Sequence, residues 1–254
     1  MLGAMRTTAE PSGDGFRLNG AKMFTSGAQV ADYLLVVART RKLNEVARRG
    51  QGVSLLIVDA RSPGVGIRPL RMLGLRAIGT CEVTFADVWV PREQLLGPQD
   101  DGWYRLVGTL DNERILTAAI CVGVTRAVLE DAVTYARTRE AFGGPIGRFQ
   151  ALQHYLAEIA MRLEQARLLT YHAAWLQARG RPCAREAVMA KVSASETASW
   201  AADTGIQILG GYGCAMEFDM QRYWRDVRAS RVSPISNEMG RNFIAESLGL
   251  PRSY

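Results

Sequence analysis

The sequence predicts an α+β protein in which a β domain is followed by a bundle of helices. Between residues 14 and 90, apolar residues alternate with polar ones or form β-branched runs, as they do in strands. From Gly102 onward, apolar residues recur every three or four positions, which is the period of a helix packed on one face. The chain has 254 residues, 48% of them hydrophobic, which is enough for two modest cores.

Four segments of the first half have the pattern of strands. DGFRLNGAKMFTSG and CEVTFADVWV alternate, whereas ADYLLVVART and GVSLLIVDA are apolar runs. Glycine and proline separate them in EPSGDG, RSPGVG and VPREQLLGPQDDG. We therefore expect an antiparallel, barrel-like sheet over residues 1–98, with a domain boundary near Pro98.

The second half, residues 99–254, has the pattern of a four-helix bundle. We expect one long helix at about 103–138, a second at 149–178 and a third at about 184–208. Two shorter helices should flank RVSPISNEMGRN, residues 231–242, in which Pro234 would end a helix.

Composition excludes several classes of protein. The net charge is +6, but the positive residues are scattered arginines without a nucleic-acid-binding motif, so no nucleic acid is expected as partner. No uncharged apolar run reaches 18 residues, so no membrane span is expected. The opening residues, MLGAMRTTAEPSGDG, lack the apolar stretch of a secretory signal. With only three lysines among the basic residues, which suggests a GC-rich gene, we expect a protein of the bacterial cytoplasm.

The cysteines and histidines predict no metal site. Four cysteines stand far apart without a Cys-x-x-Cys pair, which predicts four buried free thiols in a reducing compartment. His154 and His172 have no Cys or acidic residue at ligand spacing.

Two stretches carry residues that packing alone does not require. In RTREAFGGPIGRFQ, residues 137–150, Arg139 stands at a helix end and is followed by a glycine-rich turn. A guanidinium there can neutralise a pyrophosphate, although a solvated arginine in an inter-helix turn has the same pattern. In QILGGYG, residues 207–213, an amide side chain precedes glycines that could also be a simple helix cap. The chain has no G-x-G-x-x-G after a strand and no G-x-x-x-x-G-K-[ST], so any nucleotide is held in another way.

In this order, these stretches resemble the acyl-CoA dehydrogenase family. LNGAKMFTSGAQVADYLLVVART is similar to its flavin-side strand pair, and VTFADVWVPREQLLG to its exit from the β domain. LDNERILTAAICVGVTRAVLEDAVTYARTREAFGGPIGRFQALQ resembles its longest helix and turn, and QILGGYGCAMEFDMQRYWRDVR is its other hallmark. The resemblance runs from about residue 6 to the end, and it implies the family's fold.

The resemblance also implies an FAD cofactor and the residues that hold it. Ser26 would lie near flavin N5, with Phe24 in place of the usual tryptophan beside the ring system. Arg139 and Phe142 would meet the pyrophosphate and adenosine side, often across a subunit interface. The remaining implied contacts line the adenine and ribityl path or lie near the flavin: Gln207, Gly210, Gly211 and Ser236.

The implied reaction is desaturation of an acyl-CoA thioester between Cα and Cβ. A carboxylate removes the α-proton while the β-hydride passes to the flavin. The family usually carries this base in a Y-E-G-T stretch, which aligns with Ser233-Pro234-Ile235-Ser236, so proline replaces the glutamate and also removes a backbone N–H.

Some members carry the base on the long helix instead, in L-D-x-E-R. This chain has Leu110-Asp111-Asn112-Glu113-Arg114 there, which makes Glu113 the predicted base, with Asp111 and Arg114 as substrate-binding or orienting residues. A first-turn glutamate favoured by the helix dipole has the same pattern. Glu238 is the other nearby carboxylate.

The family's N-terminal helical domain and its T-E-P stretch have no counterpart in this sequence. The implied partners are an acyl-CoA substrate, an electron-transferring flavoprotein and further copies of the chain in a homodimer or homotetramer, or a heteromer. Two alternatives stay open: a family relative with oxidase or monooxygenase chemistry, and a non-catalytic partner subunit.

Overall fold

The computed structural model of the protein describes residues 5–252. The first four residues of the predicted domain 1–98, which begin the opening stretch, lie outside the described residues. So do the last two residues of the predicted domain 99–254. The chain divides into two compact units, one up to Thr109 and one from Leu110. The first unit is built around a sheet and the second consists of helices, which confirms the α+β class. The boundary near Pro98 stays a prediction.

The first unit contains a seven-stranded sheet. The strands are β1 (Thr8–Pro11), β2 (Gly15–Ser26), β3 (Tyr33–Arg39), β4 (Val53–Asp59), β5 (Val65–Pro69), β6 (Thr80–Pro91) and β7 (Leu95–Leu96). Their order across the sheet is β5-β6-β2-β1-β3-β4-β7. Phe16 and Leu18 of β2 are fully buried, as the alternating pattern predicts.

The sheet is mixed, whereas the sequence predicted an antiparallel one. β1 pairs with β2 in antiparallel register but runs parallel to β3, where Thr8 is the partner of Arg39. The Arg39 amide donates to the carbonyl of Thr7 at 2.9 Å. Because the short β1 lies between β2 and β3, these two strands do not pair with each other, and this insertion creates the parallel pair.

The structure contains seven α-helices within the described residues. They are α1 (Gly102–Val107), α2 (Leu110–Thr138), α3 (Gln150–Ala178), α4 (Ala184–Leu209), α5 (Gly211–Cys214), α6 (Met220–Val227) and α7 (Asn237–Ser247).

The prediction of one helix over 103–138 is wrong. The chain breaks after α1, where the amide and hydroxyl of Thr109 both donate to the carbonyl of Leu106, at 3.0 and 2.8 Å. This turn closes α1 locally, and α2 starts afresh at Leu110. α1 belongs to the first unit and α2 to the second.

Helix α4 is the central helix of the second unit and packs against α2, α3, α6 and α7. Its inward face consists largely of small residues, and Ala187, Ala190, Ala194, Ala198 and Ala201 are all fully buried. Small side chains let neighbouring helices approach closely, so this face explains how four helices can surround one. The predicted helical bundle is confirmed.

The prediction of four buried thiols is wrong for one cysteine. Cys81, Cys121 and Cys183 are buried and free, but Cys214 is exposed at the end of α5. Cys214 ends a four-residue helix at the surface, in which Gly213 is the one buried residue. None of the helices in residues 5–252 combines the length and the hydropathy that a bilayer crossing requires.

Candidate functional site

A cavity of about 550 Å³ lies in the second unit, where α4 ends. Four of the predicted cofactor residues line it together: Arg139, Gln207, Gly210 and Gly211. The other lining residues are Tyr135, Ile146, Ile208, Leu209, Tyr212 and Ala215. Two sequence stretches that are about 70 residues apart therefore meet in one place, as expected for a ligand site.

Arg139 is held at the cavity by the turn that follows α2. Its amide donates to the carbonyl of Tyr135 at 2.8 Å, and its carbonyl accepts from the amide of Ile146 at 2.9 Å. The guanidinium carbon lies 5.8 Å from the centre of the Tyr212 ring, within the range of a cation–π contact. The side chain is exposed, so the charge is available to a ligand.

Gly210 and Gly211 form the cavity wall directly after α4. Gly210 has φ 61° and ψ −136°, a backbone conformation that side chains with a Cβ rarely adopt. A Cβ placed on either glycine would meet no atom within 4 Å, so both face open space. This opening leaves room for a ligand against the backbone.

The chemistry of the lining suits a nucleotide. Among these described lining residues, Arg139 carries the only charge, and it is positive. Gln207 adds an exposed amide, and the Tyr135 and Tyr212 rings lie 6.3 Å apart, edge to face. A phosphate beside the guanidinium and a planar base beside the aromatic and apolar wall would both be accommodated.

Phe142 lies outside this cavity, at the tip of the turn between α2 and α3. Its φ of 52° is left-handed, and its side chain is 88% exposed. The Arg148 guanidinium donates to the carbonyls of Phe142 and Gly143, and the ring meets Phe149 edge to face at 6.0 Å. The turn thus presents a large apolar ring to solvent.

Phe24 and Ser26 lie in the first unit, near the end of β2. The pairing of β2 with β6 shifts register between Lys22 and Thr25, and Phe24 within this irregularity has φ 60° and is 67% exposed. Ser26 is exposed and pairs with Thr80. A bulge often redirects a side chain, which accounts for the exposure of an aromatic residue here.

Glu113 lies in the first turn of α2 with an exposed side chain. Asp111 and Arg114 instead form an ion pair at 2.7 Å, with side chains only 24% and 14% exposed. The Arg114 guanidinium also lies over the Phe243 ring of α7, at 5.9 Å. Of the three predicted residues, Glu113 alone has a side chain that projects into open space.

In the stretch 231–242, a 3-10 helix (Arg228–Arg231) ends at the first residue, and the next helix, α7, starts at Asn237. Pro234 and Ile235 are half-buried, and Ser236 is the N-cap of α7, with its hydroxyl accepting from the amide of Met239 at 3.2 Å. Glu238 lies in the first turn of α7, where hydrogen bonds from its own amide and from Ser236 lower the pKa of its carboxyl. The short helices predicted on either side, α6 and α7, are confirmed.

A buried polar cluster next to this stretch escaped sequence analysis. Lys191 of α4 is fully buried, and its ammonium donates to the carbonyl of Ile235 and to Oδ1 of Asn237, the latter at 2.8 Å. Burial lowers the pKa of Lys191 to about 8, and burial raises the pKa of the neighbouring Cys121 thiol. The sequence did contain a signal for this burial, because Lys191 falls at the helical spacing of the buried alanines of α4.

The comparisons with known proteins agree with this geometry. A sequence model of the acyl-CoA dehydrogenase C-terminal domain matches residues 100–249, and one of the acyl-CoA dehydrogenase middle domain matches residues 1–88. The chain belongs to the acyl-CoA dehydrogenase family.

Within residues 5–252, no group of three or more His, Cys, Asp or Glu side chains could hold a metal ion.

Similar proteins are longer than this chain. The mitochondrial short-chain specific acyl-CoA dehydrogenase of Rattus norvegicus is 38% identical over 253 residues, which cover 99% of this chain and 60% of the rat protein. The structure of butyryl-CoA dehydrogenase from Megasphaera elsdenii has a TM-score of 0.92 at 32% identity, covering 98% and 64% of the two chains. An FAD complex of PigA has a TM-score of 0.91 at 29% identity, with coverage of 98% and 64%.

Proposed function

We propose that this chain provides the flavin-binding part of an acyl-CoA dehydrogenase, which introduces a Cα–Cβ double bond into an acyl-CoA thioester. One observation carries the proposal: Arg139, Gln207, Gly210 and Gly211 line a single cavity whose chemistry suits a nucleotide. The reaction class is that of the family and of relatives named as acyl-CoA dehydrogenases.

The residues present fit the nucleotide half of FAD. In this proposal Arg139 neutralises the pyrophosphate, and Gln207 with Gly210 and Gly211 borders the adenine and ribityl path. Phe142, with its exposed ring, packs on the adenosine side of a cofactor bound by a second copy of the chain in a homodimer or homotetramer. The FAD complex of PigA supports this choice of cofactor.

Phe24 and Ser26 would hold the ring system, with the Ser26 hydroxyl as a donor near flavin N5 and Ser236 as a second hydroxyl. When bound, the flavin accepts the β-hydride of the substrate. The chain's own residues fix the orientation of the thioester and remove the α-proton.

Glu113 is the proposed base. Its carboxylate is exposed at the start of α2, whereas Asp111 is engaged by Arg114 and Glu238 by the first turn of α7. Pro234 offers neither a carboxylate nor an amide N–H. The Asp111–Arg114 pair would orient the helix turn that carries Glu113 and meet the pantetheine arm of the substrate.

The electron acceptor is proposed to be an electron-transferring flavoprotein, in the cytoplasm of a bacterium. The test begins with the visible spectrum of the purified protein after incubation with FAD. Acyl-CoAs of several chain lengths are then added without oxygen. Bleaching of the flavin band is expected for at least one of them, and the absence of any bound flavin would contradict the proposal.

A second candidate is a relative with oxidase or monooxygenase chemistry, or a non-catalytic subunit of a heteromer. Pro234 is the specific observation that favours it, because the usual position of the base carries no carboxylate. Flavin that bleaches and then reoxidises within seconds in air would favour the oxidase. Bound flavin that no acyl-CoA bleaches would favour the non-catalytic subunit.

A further inference from the structure

The fully buried Lys191 of α4 has no part in the chemistry proposed above. A buried ammonium is strongly unfavourable unless polar partners surround it. Here the partners are the main-chain carbonyl of Ile235 and the side-chain oxygen of Asn237. Ile235 lies just before α7 and Asn237 is its first residue, so the lysine connects the start of α7 to the centre of the bundle.

Neighbouring residues of α4 extend the connection. Ser195 lies one turn after Lys191, and its hydroxyl is 3.1 Å from Oδ1 of Asn237. The Asn237 amide group donates to Oε1 of Glu196 at 3.2 Å, and Glu196 also accepts from Arg241 at 2.7 Å. Lys191, Ser195 and Asn237 are each fully buried, so this network is shielded from water.

The main-chain hydrogen bonds of Val232 and Ser233 are local. Both amides donate to the carbonyl of Ala229, in the 3-10 helix Arg228–Arg231 that leads into the stretch. Pro234 has no N–H to donate. The carbonyl of Ser236 accepts from the amide of Gly240, within its own helix, at 2.9 Å.

We propose that Lys191 is a positioning residue, which fixes the main chain of residues 233–236 against α4 and thereby sets the place of Ser236 in the flavin site. The link to the flavin rests on the proposed function. The lysine suits this task because one ammonium can donate to two oxygens at once, over the length of a four-carbon stem. A methionine of similar shape would leave both oxygens without this donor in a buried place.

Hydrogen exchange measured by mass spectrometry tests the positioning role without any flavin. The proteins compared are the wild type, Lys191→Met and the control Thr170→Val, which removes a buried hydroxyl of α3 that donates to Ala166 at 2.7 Å. Losing a hydrogen bond to a charged group corresponds to roughly a tenfold or greater change in an opening equilibrium. We expect amides of 232–241 to exchange about tenfold faster in Lys191→Met, with the sheet and α3 unchanged.

Two results would overturn the role. Exchange of 232–241 in Lys191→Met could match the wild type, or it could rise equally throughout the helical unit. If Lys191→Met does not fold, Asn237→Ser removes the other end of the contact and should give the same local pattern. In flavin-loaded protein, we expect the absorption maximum to shift in Lys191→Met but not in Thr170→Val. Local loosening without that shift would refute the link to the flavin site while leaving the proposed function standing.

Discussion

The guanidinium of Arg139 lies 5.8 Å above the ring of Tyr212, which brings the turn after α2 to the residues that follow α4. Both residues line the same cavity. This contact explains how a charge from the turn after α2 and the glycines that follow α4 form a single wall. It also holds the arginine in place before any ligand binds, which reduces the entropy lost on binding.

Replacing Arg139 should therefore weaken nucleotide binding. Arg139→Gln removes the one charge of the cavity lining, and we expect the dissociation constant for FAD to rise roughly tenfold to hundredfold, as for loss of a charge-assisted hydrogen bond. Isothermal titration calorimetry measures it. Arg137→Gln, at an exposed position in the last turn of α2, is the matched control and should bind as the wild type does. An equal loss of FAD affinity in both variants would show that the protein's overall charge, and not a contact of Arg139, strengthens binding.

The two glycines of the wall should respond differently to alanine. Gly210→Ala forces a Cβ onto a left-handed backbone, so the free energy of unfolding should fall by about 1–3 kcal/mol. Gly211→Ala has no such strain, and its Cβ would enter open space. It should leave thermal stability nearly unchanged but weaken FAD binding. Urea unfolding of both variants measures the cost of backbone strain, and FAD titration measures the cost of filling the space beside the ligand. A Gly211→Ala protein that binds FAD with wild-type affinity would show that the ligand lies elsewhere.

The Asp111–Arg114 pair should contribute to stability. Both side chains are largely buried, and Arg114→Met would leave Asp111 without its cation. We expect a loss of roughly 1–3 kcal/mol in the free energy of unfolding. Arg126→Met breaks an exposed pair with Glu130 on the same helix, at 3.8 Å, and should cost at most about 1 kcal/mol. Similar losses in the two variants would contradict a structural role for the first pair.

Lys191 should give the protein a recognisable pH dependence. Its pKa of about 8 in the folded state lies below the ordinary value of 10.5, because burial disfavours the charged form. Between these values the unfolded state binds more protons, so stability from this group rises with pH. The charges of Cys121, Glu196 and Glu238 oppose the shift but do not cancel it.

The comparison is the free energy of unfolding of the wild type minus that of Lys191→Met, measured from pH 7.5 to 10. We expect this difference to move in favour of the wild type as pH increases, because deprotonation removes the buried charge while a neutral amine still donates hydrogen bonds. A difference that stays flat would show that the ammonium keeps its ordinary pKa, and one that moves the other way would show that folding raises this pKa; either result would contradict the prediction.

The sequence alone was sufficient for the order of the two halves and for the bounds of α3 and α4. Long apolar periodicity determined these elements, because a helix with one buried face repeats over many turns. The break at Thr109 escaped prediction, since one glycine and one threonine inside a helical pattern are compatible with a continuous helix. The parallel pair of β1 and β3 depends on contacts between strands that are distant in sequence, which periodicity does not record.

The sequence predicted only part of the candidate site. Arg139, Gln207, Gly210 and Gly211 were selected by resemblance, and folding brings them to one cavity. The roles of these four residues stay predictions, as do those of the other proposed site residues: Phe24, Ser26, Asp111, Glu113, Arg114, Phe142 and Ser236. Lys191 was missed because its partners are a carbonyl and an amide more than 40 residues away, so no local pattern signals the contact.

The most direct test of the account concerns Glu113, the base that would replace the carboxylate missing at Pro234. The measurement is the rate at which an acyl-CoA bleaches the flavin of FAD-loaded protein in anaerobic stopped flow. Glu113→Gln should slow this rate by roughly 10²–10⁴-fold without loss of bound FAD. Glu130→Gln, an exposed carboxylate further along α2, serves as control and should react like the wild type. A Glu113→Gln protein that bleaches at the wild-type rate would contradict the account.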